Sequence, residues 1–221
     1  MNFPWDKITW VLLDMDGTLL DLKFDNYFWQ EFLPMKWGER HGLAADAAKI
    51  RLLPHFRRIE GTLSWYCLDY WSDFLEIDIL TLNLELEHLI KIRPHAHEFL
   101  EFVAGTGKSM AIVTNAHQGM IELKFRNTGI GGYFEHVFCA HDFGVAKEEA
   151  GFWAELHKRF PFNPNRTLLI DDNVSVLASA RDYGIRHLLA VAQPDSSMPQ
   201  RDIRDFRALD SFRQLFQASK Q

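Results

Sequence analysis

Cysteine is scarce: Cys67 and Cys139 stand alone among 221 residues, far from any CxxC or Cys/His ligand spacing. This argues against structural zinc and fits two ordinary thiols in a reducing compartment. The chain also lacks a dense Lys/Arg block, and 30 acidic against 24 basic residues leave a formal net charge of −6. A nucleic-acid polymer is therefore not expected as a partner. No uninterrupted apolar run approaches the ~20 residues that a membrane span needs, so no membrane partner is expected. The N-terminal stretch includes Asp6 and lacks the basic start, apolar run and small-residue cleavage site of a signal peptide. These features predict a soluble, cytoplasmic protein. There is no internal repeat or low-complexity tract, and no pattern specifies an oligomeric state.

What is present is a large apolar share, 47% of residues, enough for a substantial core without external staples. Short apolar runs predict strands over 10–13, 109–113, 137–139, 167–170 and 187–191. Helical spacing predicts helices over 96–104, 118–127, 148–159 and 174–183. The alternation points to an α/β fold: a Rossmann-like parallel sheet covered on both faces, with reactive groups gathered beyond the carboxyl ends of its strands. The segment 22–91 breaks this rhythm. Its apolar residues recur at three and four, as in Tyr66, Tyr70 and Phe74 or Leu82, Leu86 and Leu89. A helical insertion of four helices is expected there, with Pro54 bending or ending one of them and Pro34 and Gly38 marking a boundary. The expected division is 1–21 and 92–221 as an α/β core, and 22–91 as the inserted domain. The polar stretch 193–221 carries no clear pattern.

Four strand ends carry the chemistry. Asp14 and Asp16 follow the first strand, and Gly17 and Thr18 allow a turn that brings both carboxyls to one centre. Neighbouring carboxylates push their proton affinities apart, which suits one as nucleophile and the other as general acid and base. Asp171 and Asp172 follow another strand and add the oxygen ligands that a hard cation such as Mg²⁺ prefers. Thr114 and Asn115 can offer a hydroxyl and a backbone N–H to phosphate oxygens, and Lys147 supplies a point charge. Taken singly, each has a plain structural reading: a turn for Asp14 and Asp16, helix caps for Thr114, Asp171 and Asp172, a solvated side chain for Lys147. Their order, each at its own strand end, favours phosphoryl transfer from a monoester.

In that order and spacing the sequence resembles the haloacid dehalogenase superfamily phosphatases: Asp14 to Thr18 match the first motif, Thr114 the second, Lys147 the third, and Asp171 with Asp172 the fourth. The resemblance implies Asp14 as nucleophile and Asp16 as general acid and base. It also implies Mg²⁺ held by Asp14, the Asp16 backbone carbonyl, Asp171 and Asp172, with Asp172 the safer ligand because many relatives carry Gly or Glu at the position of Asp171. The second aspartate of the first motif, missing in true dehalogenases, favours phosphate esters. By the same resemblance the insertion is a helical cap that closes over the site. Within the family, the stretches 24–29, 64–71 and 114–117 resemble bacterial purine nucleotidases acting on GMP and IMP, although Ala146 stands where that subgroup has proline.

The substrate class that follows is a small phosphomonoester, with purine nucleotides first. Sugar phosphates or other small metabolites, a phosphoglucomutase-like reaction and a non-catalytic binding role are the alternatives. The aromatics Phe24, Tyr27, Phe28, Trp29, Trp37, Trp65, Tyr66, Tyr70 and Trp71 read as the cap's own core or, for one or two, as stacking partners of a base. His117 reads as a helix cap or substrate contact, and Arg57 and Arg58 as a solvated face or nucleotide contact.

Overall fold

A computed structural model describes residues 3–216. After β1 (Trp10–Leu13) the chain enters a run of helices: α1 (Lys23–Tyr27), α2 (Leu33–His41), α3 (Ala45–Ile59), α4 (Leu68–Leu75) and α5 (Ile79–Glu85). Helix α6 (Ala96–Ala104) returns it to β2 (Ser109–Thr114), then come α7 (Gln118–Thr128), β3 (His136–Cys139), α8 (Ala150–Arg159), β4 (Thr167–Asp171), α9 (Val174–Tyr183), β5 (His187–Val191), β6 (Arg207–Leu209) and α10 (Arg213–Phe216). The six strands pair in parallel in the order β3-β2-β1-β4-β5-β6, so the expected α/β sheet is present. The strand β6 lies in the stretch without a sequence pattern.

The strands read as continuous apolar runs because both faces of the sheet are covered. In β1, Val11 and Leu13 face one core with Phe99, Leu100 and Ile121, whereas Leu12 faces the other with Phe152, Trp153 and Leu177. Register then places the chemistry. Leu13 lies level with Ile112 of β2 and Ile170 of β4, so Asp14, one residue on, sits beside the ends of both neighbouring strands.

The helical segment has a third core, in which Phe24, Phe28, Trp37, Leu52 and Trp71 meet Met120 and Leu123 of α7. Most of its aromatics are therefore structural. The four expected helices are found once 23–41 is taken as one rod, since a π-helical stretch, Phe28–Phe32, joins α1 to α2 without a break. Pro34 and Gly38 thus mark no boundary, contrary to expectation. Pro34 falls in the first turn of α2, directly after the π-helical stretch, and a Cβ on Gly38 would stand 2.9 Å from the Leu43 carbonyl oxygen and 3.2 Å from Ala48, so this glycine lets α3 approach. Pro54 lies inside α3 and does not end it.

Segments entering and leaving the helical region run side by side. Leu20 forms an antiparallel bridge with Ile92, Asp21 N–H donates to the Lys91 carbonyl at 2.9 Å, and Arg93 N–H to that of Leu19 at 2.9 Å. Among the described residues no helix is long and apolar enough to cross a membrane.

Candidate active site

Four loops meet at the carboxyl ends of β1, β2, β3 and β4. Asp14 is fixed by its own N–H, which donates to the Ile170 carbonyl at 3.0 Å as though β1 ran one residue further. Lys147, from the loop after β3, is buried and donates through Nζ to Asp14 Oδ1 at 2.7 Å, Asp171 Oδ2 at 2.8 Å and the Val113 carbonyl at 3.0 Å. A buried ammonium is costly unless paired, and two carboxylates and a carbonyl satisfy all three of its protons. Burial alone would lower its proton affinity, but Asp14 and Asp171 hold it above the ordinary lysine value.

The second oxygen of Asp14, Oδ2, is buried without a hydrogen-bond partner. Burial pushes this carboxyl well above its ordinary range against the pull of Lys147, with Asp171 and Asp172 pushing the same way. Burial and Asp171 likewise push Asp172 up to about 7. Asp14, Asp171 and Asp172 each present an oxygen within 4.8 Å of the others'. Three carboxylates around one ammonium, one of them with an orphaned oxygen, fit a hard, oxygen-seeking cation. Gly17, at φ +81°, is required here twice over: a side chain would be strained, and a Cβ would stand 2.7 Å from Asp172 Cγ.

The acidic pair divides. Asp171 spends Oδ2 on Lys147 and Oδ1 on the Asn173 N–H at 2.9 Å. Asp172 is held by Arg201, whose guanidinium donates to its backbone carbonyl at 2.6 Å and lies 3.5 Å from its carboxylate Oδ2. The hydroxyl of Thr114, at the end of β2, accepts the Ala116 N–H at 3.0 Å, and Asn115 accepts the Lys147 N–H at 2.9 Å. Asn115 thus braces the Lys147 loop, while Thr114 caps the turn of its own loop. Asp16 also faces α7: its Oδ1, buried without a hydrogen bond, lies 2.7 Å from Nζ of Lys124, and the same ammonium is 2.7 Å from Asp25 Oδ1 on α1.

Sequence reading passed over four of these groups. Glu148 accepts from Asn115 at 2.8 Å, Asn173 at 3.0 Å and the phenol of Tyr66 at 2.6 Å, tying three core loops to the helical segment. Arg201 belongs to the unpatterned C-terminal stretch. Lys124 did leave a trace, since it lies four residues after Met120 and three after Ile121 on the buried face of α7. His117 is the N-cap of α7, and Arg57 and Arg58 are exposed, so these follow the plain readings.

Residues 8–184 match the family of haloacid dehalogenase-like hydrolases. The chain is similar to the GMP/IMP nucleotidase YrfG of Escherichia coli, 36% identical over 215 residues that cover 97% of each chain. It is also similar to (S)-2-haloacid dehalogenase 4A of Burkholderia cepacia, at 21% identity over 81% of each chain. Among solved structures, an HAD phosphatase of Thermococcus onnurineus shares the fold with a TM-score of 0.79 at 20% identity, over 96% of this chain and 98% of that one. The chain belongs to the haloacid dehalogenase-like hydrolases.

Proposed function

We propose that this hydrolase is a Mg²⁺-dependent 5′-nucleotidase that dephosphorylates purine nucleoside monophosphates, GMP and IMP, through an aspartyl-phosphate on Asp14. The observation that carries the reading is the buried Lys147 ammonium, 2.7 Å from Asp14 and 2.8 Å from Asp171 at the meeting point of the strand ends. The purine preference rests on the 36% identity, over nearly the whole chain, to a relative named for GMP and IMP.

In the first half-reaction an Asp14 oxygen attacks phosphorus, the bond from phosphorus to the nucleoside oxygen breaks, and Asp16 gives that oxygen its proton. In the second, water attacks the same phosphorus, the bond to Asp14 breaks, and Asp16 takes the water's proton. Lys147 offsets charge beside Asp14, while Thr114 and Asn115 border the phosphoryl group. Mg²⁺ would be held by the carboxylates of Asp14 and Asp172 and the Asp16 backbone carbonyl, with Asp171 set behind them to steady Lys147. When bound, it offsets negative charge on the phosphoryl oxygens.

The segment 22–91 acts as a cap hinged where Leu20 and Ile92 pair. With Asp14, Lys147 and Asp171 each no more than 5% exposed, substrate entry requires the cap to lift. The two free thiols, Cys67 and Cys139, suit work in the cytoplasm. A panel of monoesters with Mg²⁺ tests the substrate assignment: kcat/KM for GMP and IMP is expected to exceed that for sugar phosphates by ~10-fold or more. The reverse ranking would remove the nucleotidase reading.

A further inference from the structure

Lys124 has no place in the chemistry described so far, yet it is 1% exposed and lies 2.7 Å from Oδ1 of Asp16. We propose that Lys124, itself anchored by Asp25, is a positioning residue that holds the Asp16 carboxyl for proton transfer. The inference rests on the reading of Asp16 as general acid and base.

Burying an ammonium costs several kcal/mol unless it is well paired. One partner, Asp25 at 2.7 Å, would serve a lysine whose task was only to dock α1 on α7. The second partner is Asp16, at the same distance, and this carboxyl belongs to the reacting loop. Packing also fixes the ammonium. Met120 and Leu123, on the same helix, are buried in the core of the helical segment, Ile121 is buried in the core of the sheet, and the Phe24 ring lies 5.4 Å from Nζ. Lys124 therefore stands at the seam between cap and sheet. Oδ1 of Asp16 is buried and makes no hydrogen bond, so the adjacent ammonium restrains this carboxyl as a charge at 2.7 Å, and Oδ2 is the oxygen left for the leaving group or the attacking water. Proton transfer requires the acid within hydrogen-bond reach of the ester oxygen, and a misplacement of about 1 Å is enough to lose much of its effect. Because Asp25 rides on α1, the placement of Asp16 is tied to the seating of the cap.

The test exploits the leaving group. A nucleoside alkoxide needs a proton as it departs, whereas the nitrophenolate of p-nitrophenyl phosphate leaves without one. kcat/KM reports the first phosphoryl transfer. In Lys124→Met it is expected to fall on the order of 10–100-fold for GMP and by less than ~3-fold for p-nitrophenyl phosphate. Asp16→Asn should show the same selectivity in stronger form, and adding Lys124→Met to it should cost GMP turnover nothing more.

Equal losses on both substrates, or no loss on either, would overturn the proposal. Should Lys124→Met fail to fold with two carboxylates left unpaired, Lys124→Met/Asp25→Leu replaces the surplus pair by apolar groups of similar size and is read in the same way. Failure of Asp16→Asn to discriminate between the substrates would instead sink the general-acid reading. If the wild type ignores GMP, the nucleotidase reading fails, and the comparison proceeds with whichever alkyl monophosphate it hydrolyses.

Discussion

At the scale of single residues, Lys147 is where stability and chemistry coincide. Lys147→Met leaves Asp14 and Asp171 buried without their cation, so a loss of about 3–5 kcal/mol is expected together with loss of turnover, measurable by denaturant titration. An unchanged midpoint would mean that the carboxylates are not buried as described. Asp172 sets a pH dependence. Its folded value of about 7 lies above the ordinary 3.8, so the folded state binds this proton more tightly than the unfolded chain does. The stability it contributes is complete below about 4 and is lost as pH rises through about 7. A chelated sample should therefore lose Tm across that window, and Mg²⁺ should restore most at its alkaline end. A restoration as large at the acid end would contradict the assignment of Asp172 as a ligand. Asp14, Asp16, Asp171 and Asp172 were legible as candidates because they end or follow an apolar strand, and Lys147 through its place in the order of the motifs. Glu148 and Asn173 were not, because their roles exist only once the loops meet.

Among elements, the contact that matters most joins the 3-10 turn before α4 to the loop after β3, through the Tyr66 phenol and Glu148 at 2.6 Å. Removing that hydroxyl in Tyr66→Phe should cost the closed arrangement about 1–1.5 kcal/mol. The expected reading is roughly a tenfold loss in kcat/KM with little change in Tm, since the helical segment keeps its own core. A matching loss of thermal stability would show that Tyr66 holds the fold rather than closure. The helices themselves were legible from their three-and-four spacing. The continuity of 23–41 was not, because Pro34 and Gly38 are ordinary stop signals, whereas here Pro34 falls in the first turn of α2 and Gly38 lets α3 approach. The strand β6 was hidden because Arg207, Ala208 and Leu209 form a short edge strand with two exposed residues.

For the whole molecule, the parallel order of the sheet could be argued from alternating strands and helices, and the convergence of four loops follows from it. How the helical segment seats on the sheet could not, because that depends on side chains such as Lys124 and Tyr66 finding partners 82 or more residues away. Chelation should stop turnover and Mg²⁺ restore it, while Ca²⁺ should inhibit because its larger, looser coordination shell misplaces the reacting oxygens. Turnover with Ca²⁺ equal to that with Mg²⁺ would contradict this. The central claim, a phosphoryl group carried on Asp14, is tested most directly by acid-quenching the enzyme during turnover of GMP labelled in its phosphate. Label that is released by hydroxylamine, maps to the peptide bearing Asp14 and is missing from Asp14→Asn is the expected result; steady turnover with no label on that peptide would contradict it.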